Sequence, residues 1–263
     1  MRGSIFFDTA NVYGGKEQNG RTEEIIGRWF QQGGGRREKV VLATKVYGDM
    51  NDASDGPNAE RGLSAYKIRR HLEASLKRLQ TDHIELYQMH HVDRNVSWDE
   101  LWGAFESMVN QQSRLYRSSN FAGWHIAVAQ AEAKARHFLG LVSEQHLYNL
   151  TARLPELEVL PAAEKNSALA SFRGVRWREA ARPQRLAGSG ARSARSAERI
   201  EKHRSQLERF AGVCKEIGEK EDVVAWHGYS PIRPSLRRSS DRERSSSCRI
   251  RSAYRKSRLA KIR

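Results

Sequence analysis

Asp8 and Tyr13 lie close together in Phe6-Phe-Asp-Thr-Ala-Asn-Val-Tyr-Gly14, Lys45 closes Ala43-Thr-Lys45, and His90 sits in Tyr87-Gln-Met-His-His-Val-Asp93. A carboxylate, a phenol, an ammonium and an imidazole form a working set for delivering a proton to a polarised oxygen. Brought together, the ammonium favours proton release from the phenol, the carboxylate holds the ammonium, and the imidazole orients the oxygen that receives the proton. Taken singly, each has a blander reading: Tyr13 as a half-buried loop aromatic, Lys45 as a solvated strand end. Each segment, however, follows a short apolar run, which places the polar group at the end of a strand.

Strands that deliver their ends to one place must be parallel. Ile5–Phe7, Val40–Thr44 and Ile84–Met89 read as strands, with Leu141–Ser143 as a further one. Between them, Thr22–Gln32 and Ser64–Leu79 read as helices; Ser64 can cap the second, and Ile68, Leu72, Leu76 and Leu79 make a stripe that should face a sheet. Trp98–Val109 and Trp124–Phe138 repeat the pattern. Leu115–Tyr116 reads as a poor strand because Arg114 and Arg117 flank it. Repeated strand–helix units predict parallel strands with helices outside, hence an α/β barrel or a doubly wound sheet. In a barrel, the loops after the strands form the active-site face.

These strand ends resemble the catalytic tetrad of the aldo-keto reductases: Asp8 and Tyr13 match a D-T-A-x-x-Y-G motif, Lys45 an A-T-K motif and His90 a Y-Q-x-H motif. Further matches follow in order. Gly20-Arg-Thr-Glu-Glu-Ile-Ile-Gly27 resembles the family's helix start after the tyrosine loop, Ser118-Ser-Asn-Phe121 its S-N-F turn, and Gln145-His-Leu-Tyr-Asn149 its Q-x-x-Y-N strand end. The resemblance implies a (β/α)8 TIM barrel, here incomplete with strands two to six recognisable, and NADPH as cofactor, its nicotinamide carboxamide held by Ser119, Asn120 and Gln145. It also implies reduction of a small-molecule aldehyde or ketone. Gly27–Arg37 and His90–Arg94 are similar to actinobacterial members that reduce nucleotide keto-sugars, which suggests a polar carbonyl substrate. His91 is expected to be a pocket wall or packing residue, and Gly33-Gly-Gly35 a helix C-terminal turn, since no strand precedes it as a phosphate cradle requires.

Composition divides the chain. Residues 1–164 carry 20 Lys+Arg and 21 Asp+Glu, whereas residues 165–263 carry 26 and 10. The first part reads as the aldo-keto reductase barrel portion. The second reads as a basic, Arg/Ser-rich region whose abrupt onset after Glu164 points to frame-shifted translation, with one family-like helix at 197–226, where Ile200, Leu207, Phe210, Val213 and Ile217 recur at helical spacing. Gln111–Arg117 puts charge into the wall beside the cofactor site, and the defect at Gln112–Arg117 reads as a smaller pair of slips. The chain is expected to begin at the family's second barrel strand. A nucleic-acid-binding tail is the least favoured reading, because aromatic side chains for stacking are scarce in it; a catalytically inactive relative that binds cofactor or a partner is the principal alternative. Cys214 and Cys248 cannot build a disulfide framework, no metal site is spelled, and the N-terminus reaches Asp8 after three bulky apolar residues, so a cytoplasmic protein that does not enter a membrane is expected.

Overall fold

A computed structural model describes residues 5–15, 18–52, 55–56, 61–108, 113–148, 152–166, 169–173, 201–216, 218–219, 221 and 237–238. The strands are β1 (Ile5–Asp8), β2 (Val40–Val46), β3 (Ile84–Met89), β4 (Ser113–Ser119), β5 (Leu141–Leu147), β6 (Leu169–Arg173) and β7 (Arg237–Arg238). They form one parallel sheet in sequential order from β1 to β7. Helices fill the crossovers: α1 (Arg21–Gln31), α2 (Ala65–Leu79), α3 (Trp98–Glu106), α4 (Gly123–Ala135) and α5 (Val159–Lys165), with α6 (Arg204–Glu216) later in the chain. The sheet curls strongly, because the Gln145 amide on β5 reaches across the interior to donate to the Asp8 carboxylate on β1 at 2.9 Å. A curled parallel sheet with helices between its strands is an incomplete (β/α)8 barrel.

The helices form where periodicity and caps predict them. The Ser64 hydroxyl accepts from the Lys67 amide and starts α2, satisfying one of the free N–H groups of its first turn. Ile68, Leu72, Leu76 and Leu79 are all buried, and pack with Leu42, Tyr87 and Met89 in the layer between helices and sheet. Side-chain alternation along each strand assigns the two faces. Thr44 points outward and donates to Glu23 on α1, which also accepts from Arg78 of α2 at 2.8 Å; its neighbour Lys45 points inward. Gly27 lets α1 approach α2 closely, since a Cβ there would meet the Arg78 carbonyl at 2.3 Å. The three glycines after α1 adopt φ of 72°, 71° and 62°, the left-handed turn that ends a helix.

Two segments depart from the sequence reading. Ser113–Ser119 is a full strand, paired with β3 from Ser113 to Ser118 and with β5 through a register irregularity between Tyr116 and Arg117. Ladders on both sides outweigh the weak local preference of an arginine-flanked run, and Tyr116 and Arg117 are both buried, at 2% exposure each. The second departure is β6, which lies where no strand was expected: Ser143–Leu147 pairs in register with Leu169–Arg173. The short run Ala168-Leu-Ala-Ser-Phe172 has little charge, and an unpaired edge of β5 is a ready template for it. Helix α6 falls within the 197–226 segment, whereas most of the Arg/Ser-rich sequence, with Cys248, lies outside the described residues. Among the described residues no helix is long and apolar enough to cross a membrane, and no cluster of His, Cys, Asp or Glu is arranged to hold a metal ion.

Candidate active site

Asp8 is the last residue of β1, and from there the chain is held against the end of β2: the Thr9 amide donates to the Ala43 carbonyl at 2.9 Å and the Asn11 amide to the Lys45 carbonyl at 3.2 Å. The turn closes when the Tyr13 amide donates to the Ala10 carbonyl at 3.0 Å. It brings the phenol over the barrel mouth. Lys45, fully buried, points its ammonium at three oxygens: Asp8 Oδ1 at 3.0 Å, the Thr9 carbonyl at 2.7 Å and the Tyr13 hydroxyl at 3.4 Å. His90 follows β3 and meets the Tyr13 ring edge-on with centroids 5.7 Å apart. The four predicted residues therefore share one site. His91 stacks on His90 at 5.2 Å and also contacts Tyr47, as a wall residue would.

Burial opposes ionisation of Asp8, but the Lys45 charge, the Gln145 hydrogen bond and the Arg117 charge outweigh it and hold its carboxyl below the ordinary value of 3.8. The carboxylate is thus the fixed negative point of the interior. Gln88 also donates to it, from Nε2 to Oδ1 at 2.7 Å. That contact was missed in the sequence, although Gln88 lies two residues before His90 in the same motif and so faces the same side of the strand.

The three residues expected to hold a carboxamide also converge. Asn120 takes φ of 62°, a conformation asparagine tolerates better than most residues, and its Nδ2 donates to Ser119 Oγ and to the His90 carbonyl, both at 3.0 Å. Its backbone amide donates to the Gln145 carbonyl at 3.0 Å, so the ends of β4 and β5 are tied. Glu144 braces this turn, accepting from Ser118 Oγ and, at 3.0 Å, from the Phe121 amide; its burial raises the carboxyl above the usual 4.5 despite those donors. Gln145 Oε1 is buried with no hydrogen-bond partner among the described residues. An orphaned acceptor beside Ser119 and Asn120 is what an amide N–H requires, so these residues fit a nicotinamide.

Arg117 is the unexpected member. It is 2% exposed, its guanidinium lies 5.8 Å from the Phe6 ring, and its Nε and Nη2 have no hydrogen-bond partner among the described residues. Burial pushes its pKa down from the ordinary guanidinium value, against the pull of Asp8 and Glu144. The charge in the wall that the sequence implied is present, and it lies deep in the interior.

A parallel barrel whose strand ends gather an Asp–Lys–Tyr–His set is an oxidoreductase-like architecture, and sequence comparison gives it a family. The aldo/keto reductase family profile matches residues 1–231, and the chain belongs to that family. It is 58% identical over 234 residues to the uncharacterized oxidoreductase YrpG of Bacillus subtilis, covering 88% of this chain and 72% of that protein. It is also similar to a probable voltage-gated potassium channel subunit beta of Arabidopsis thaliana, 34% identical over 60% of this chain and 46% of that one. The versiconal hemiacetal acetate reductase of Aspergillus parasiticus is 29% identical over 61% of this chain and 49% of its own. The chain thus spans about half the length of the last two relatives.

Proposed function

We propose that the protein is an NADPH-dependent reductase that converts an aldehyde or ketone, with a polar keto-sugar as the favoured class, into an alcohol. The observation that carries this reading is the contact chain from Asp8 through Lys45 to the Tyr13 hydroxyl, with His90 edge-on to the phenol. When bound, NADPH supplies the hydride that the carbonyl carbon receives. Tyr13 gives its proton to the carbonyl oxygen, Lys45 and Asp8 support that transfer electrostatically, and His90 orients the carbonyl. Ser119, Asn120 and Gln145 hold the nicotinamide carboxamide. A polar carbonyl substrate and a cytoplasmic setting go with this reading.

The test is Tyr13→Phe, assayed for NADPH binding by fluorescence quenching and for turnover of 4-nitrobenzaldehyde. General acid catalysis contributes about 100- to 10,000-fold, so turnover should fall by that much while cofactor affinity stays near the parent's. Turnover within about threefold of the parent would remove Tyr13 from the role. Arg117, buried with its Nε and Nη2 lacking a hydrogen-bond partner among the described residues, supports a second reading, a cofactor- or partner-binding relative without catalysis, because a cation facing Asp8 competes with Lys45 for it. NADPH binding without turnover in the parent would favour that one.

We further read residues 165–263 as translated out of frame around the in-frame segment 197–226. Sequencing the gene tests this: apolar strand–helix sequence in another frame opposite 165–196 and 228–263 is expected, and a single clean frame overturns it.

A further inference from the structure

Asn11 lies two residues before Tyr13, is fully buried, and is clamped from two sides. Its backbone amide is held by the Lys45 carbonyl, as described above, and its side-chain Nδ2 donates to His71 Nδ1 of α2 at 3.1 Å. With Nδ1 accepting, the imidazole carries its proton on Nε2, which donates to Asp55 Oδ2 at 2.7 Å. Asp55 belongs to the loop between β2 and α2, and its carboxylate is 1% exposed. It also accepts from Arg70 Nε at 2.8 Å, and Lys67 Nζ lies 4.0 Å away. Burial lowers the His71 pKa from 6.5 against the pull of Asp55, which keeps the ring in the neutral, relaying form. The three side chains form a carboxylate–imidazole–amide chain that ends on the turn presenting the phenol.

We propose that His71 is a positioning residue for the Tyr13 turn, tying Asn11 to the buried Asp55 carboxylate and so holding the phenol at Lys45. The inference rests on Tyr13 as the proton donor. Among the described residues, none of these three side chains is hydrogen-bonded to the polar side-chain atoms of Asp8, Tyr13, Lys45 or His90; they act through the backbone of residues 9–14. Displacing a reacting group by about 1 Å costs about a hundredfold in rate, so a loosened turn should appear in kcat more than in binding.

The experiment compares His71→Gln, which keeps a donor toward Asp55 and loses the acceptor for Asn11, with His71→Asn, which keeps the acceptor near the ring's Nδ1 position. In the full chain, hydrogen exchange of peptides covering residues 9–14 should lose protection in His71→Gln and recover it in His71→Asn. For turnover of 4-nitrobenzaldehyde, kcat should fall about tenfold to a hundredfold in His71→Gln with KM within about threefold, and His71→Asn should restore most of the loss. Asn11→Ala severs the same link from the other side, and combining it with His71→Gln should give no further loss of protection or rate. Parental protection of residues 9–14 in His71→Gln, equal losses in the Gln and Asn variants, or additive losses in the double variant would each overturn the proposal. Exchange decides the matter whether or not the parent turns over. Full turnover in Tyr13→Phe would instead strike the reading of the site, leaving the tether between His71 and the turn to be judged by exchange alone.

Discussion

Residues 1–164 and residues 165–263 handle charge in opposite ways. In the first region 20 cationic and 21 anionic residues are balanced, and the buried charges are held in opposite-sign contacts: Lys45 on Asp8, Arg78 on Glu23, Arg70 on Asp55. In the second, 26 cationic residues outnumber 10 anionic ones, and the described pair there, Arg204–Glu201, has side chains 59% and 66% exposed. Removing a charge from water costs several kcal/mol unless a partner and hydrogen bonds offset it, roughly speaking. A chain can therefore bury charge at a site only where both signs are supplied. The candidate site lies wholly in the balanced region, and Arg117, whose Nε and Nη2 lack a hydrogen-bond partner among the described residues, is one place where that region departs from its own rule.

Four substitutions would break or sharpen this contrast. Leu72→Ala, at a fully buried position between α2 and the sheet, should cost about 2–5 kcal/mol in unfolding free energy by chemical denaturation. A loss below about 1 kcal/mol would mean that the balanced region is not a packed core. Arg117→Met replaces an incompletely paired buried charge by an apolar side chain of similar length and should raise stability, by about 1–4 kcal/mol; a lower unfolding midpoint would show that the guanidinium is stabilised by contacts with other parts of the chain. Gln145→Ala removes both the Asp8 contact and the orphaned acceptor, and should weaken NADPH binding by about 1–3 kcal/mol, read by fluorescence titration. Unchanged affinity would put the nicotinamide elsewhere. Arg204→Ala is expected to leave the unfolding midpoint where it was, because its ion pair is exposed and screened by solvent. A shift approaching that of Leu72→Ala would show that the basic region has a core of its own.

Much of the site was legible because its pieces are local. Asp8, Tyr13, Lys45 and His90 stand in motifs a few residues long at strand ends, the Ser64 cap precedes its helix by one residue, and the α2 stripe is a matter of helical spacing. Strand existence was less legible where pairing decides it. Ser113–Ser119 and Leu169–Arg173 have weak patterns of their own and become strands through ladders to their neighbours.

By itself, then, the sequence determined which residue types stand at the ends of which strands, since spacing along the chain is sufficient to encode helix faces, strand ends and turns. Only the tertiary structure decided what those residues touch. Gln145 meets Asp8 across 137 residues, Gln88 joins it across 80, and His71 reaches Asn11 across 60 while turning its other nitrogen to Asp55. Such contacts depend on the curl of the sheet and on the height at which each side chain enters the interior, quantities that arise from packing all the elements at once and leave no periodic trace in the chain.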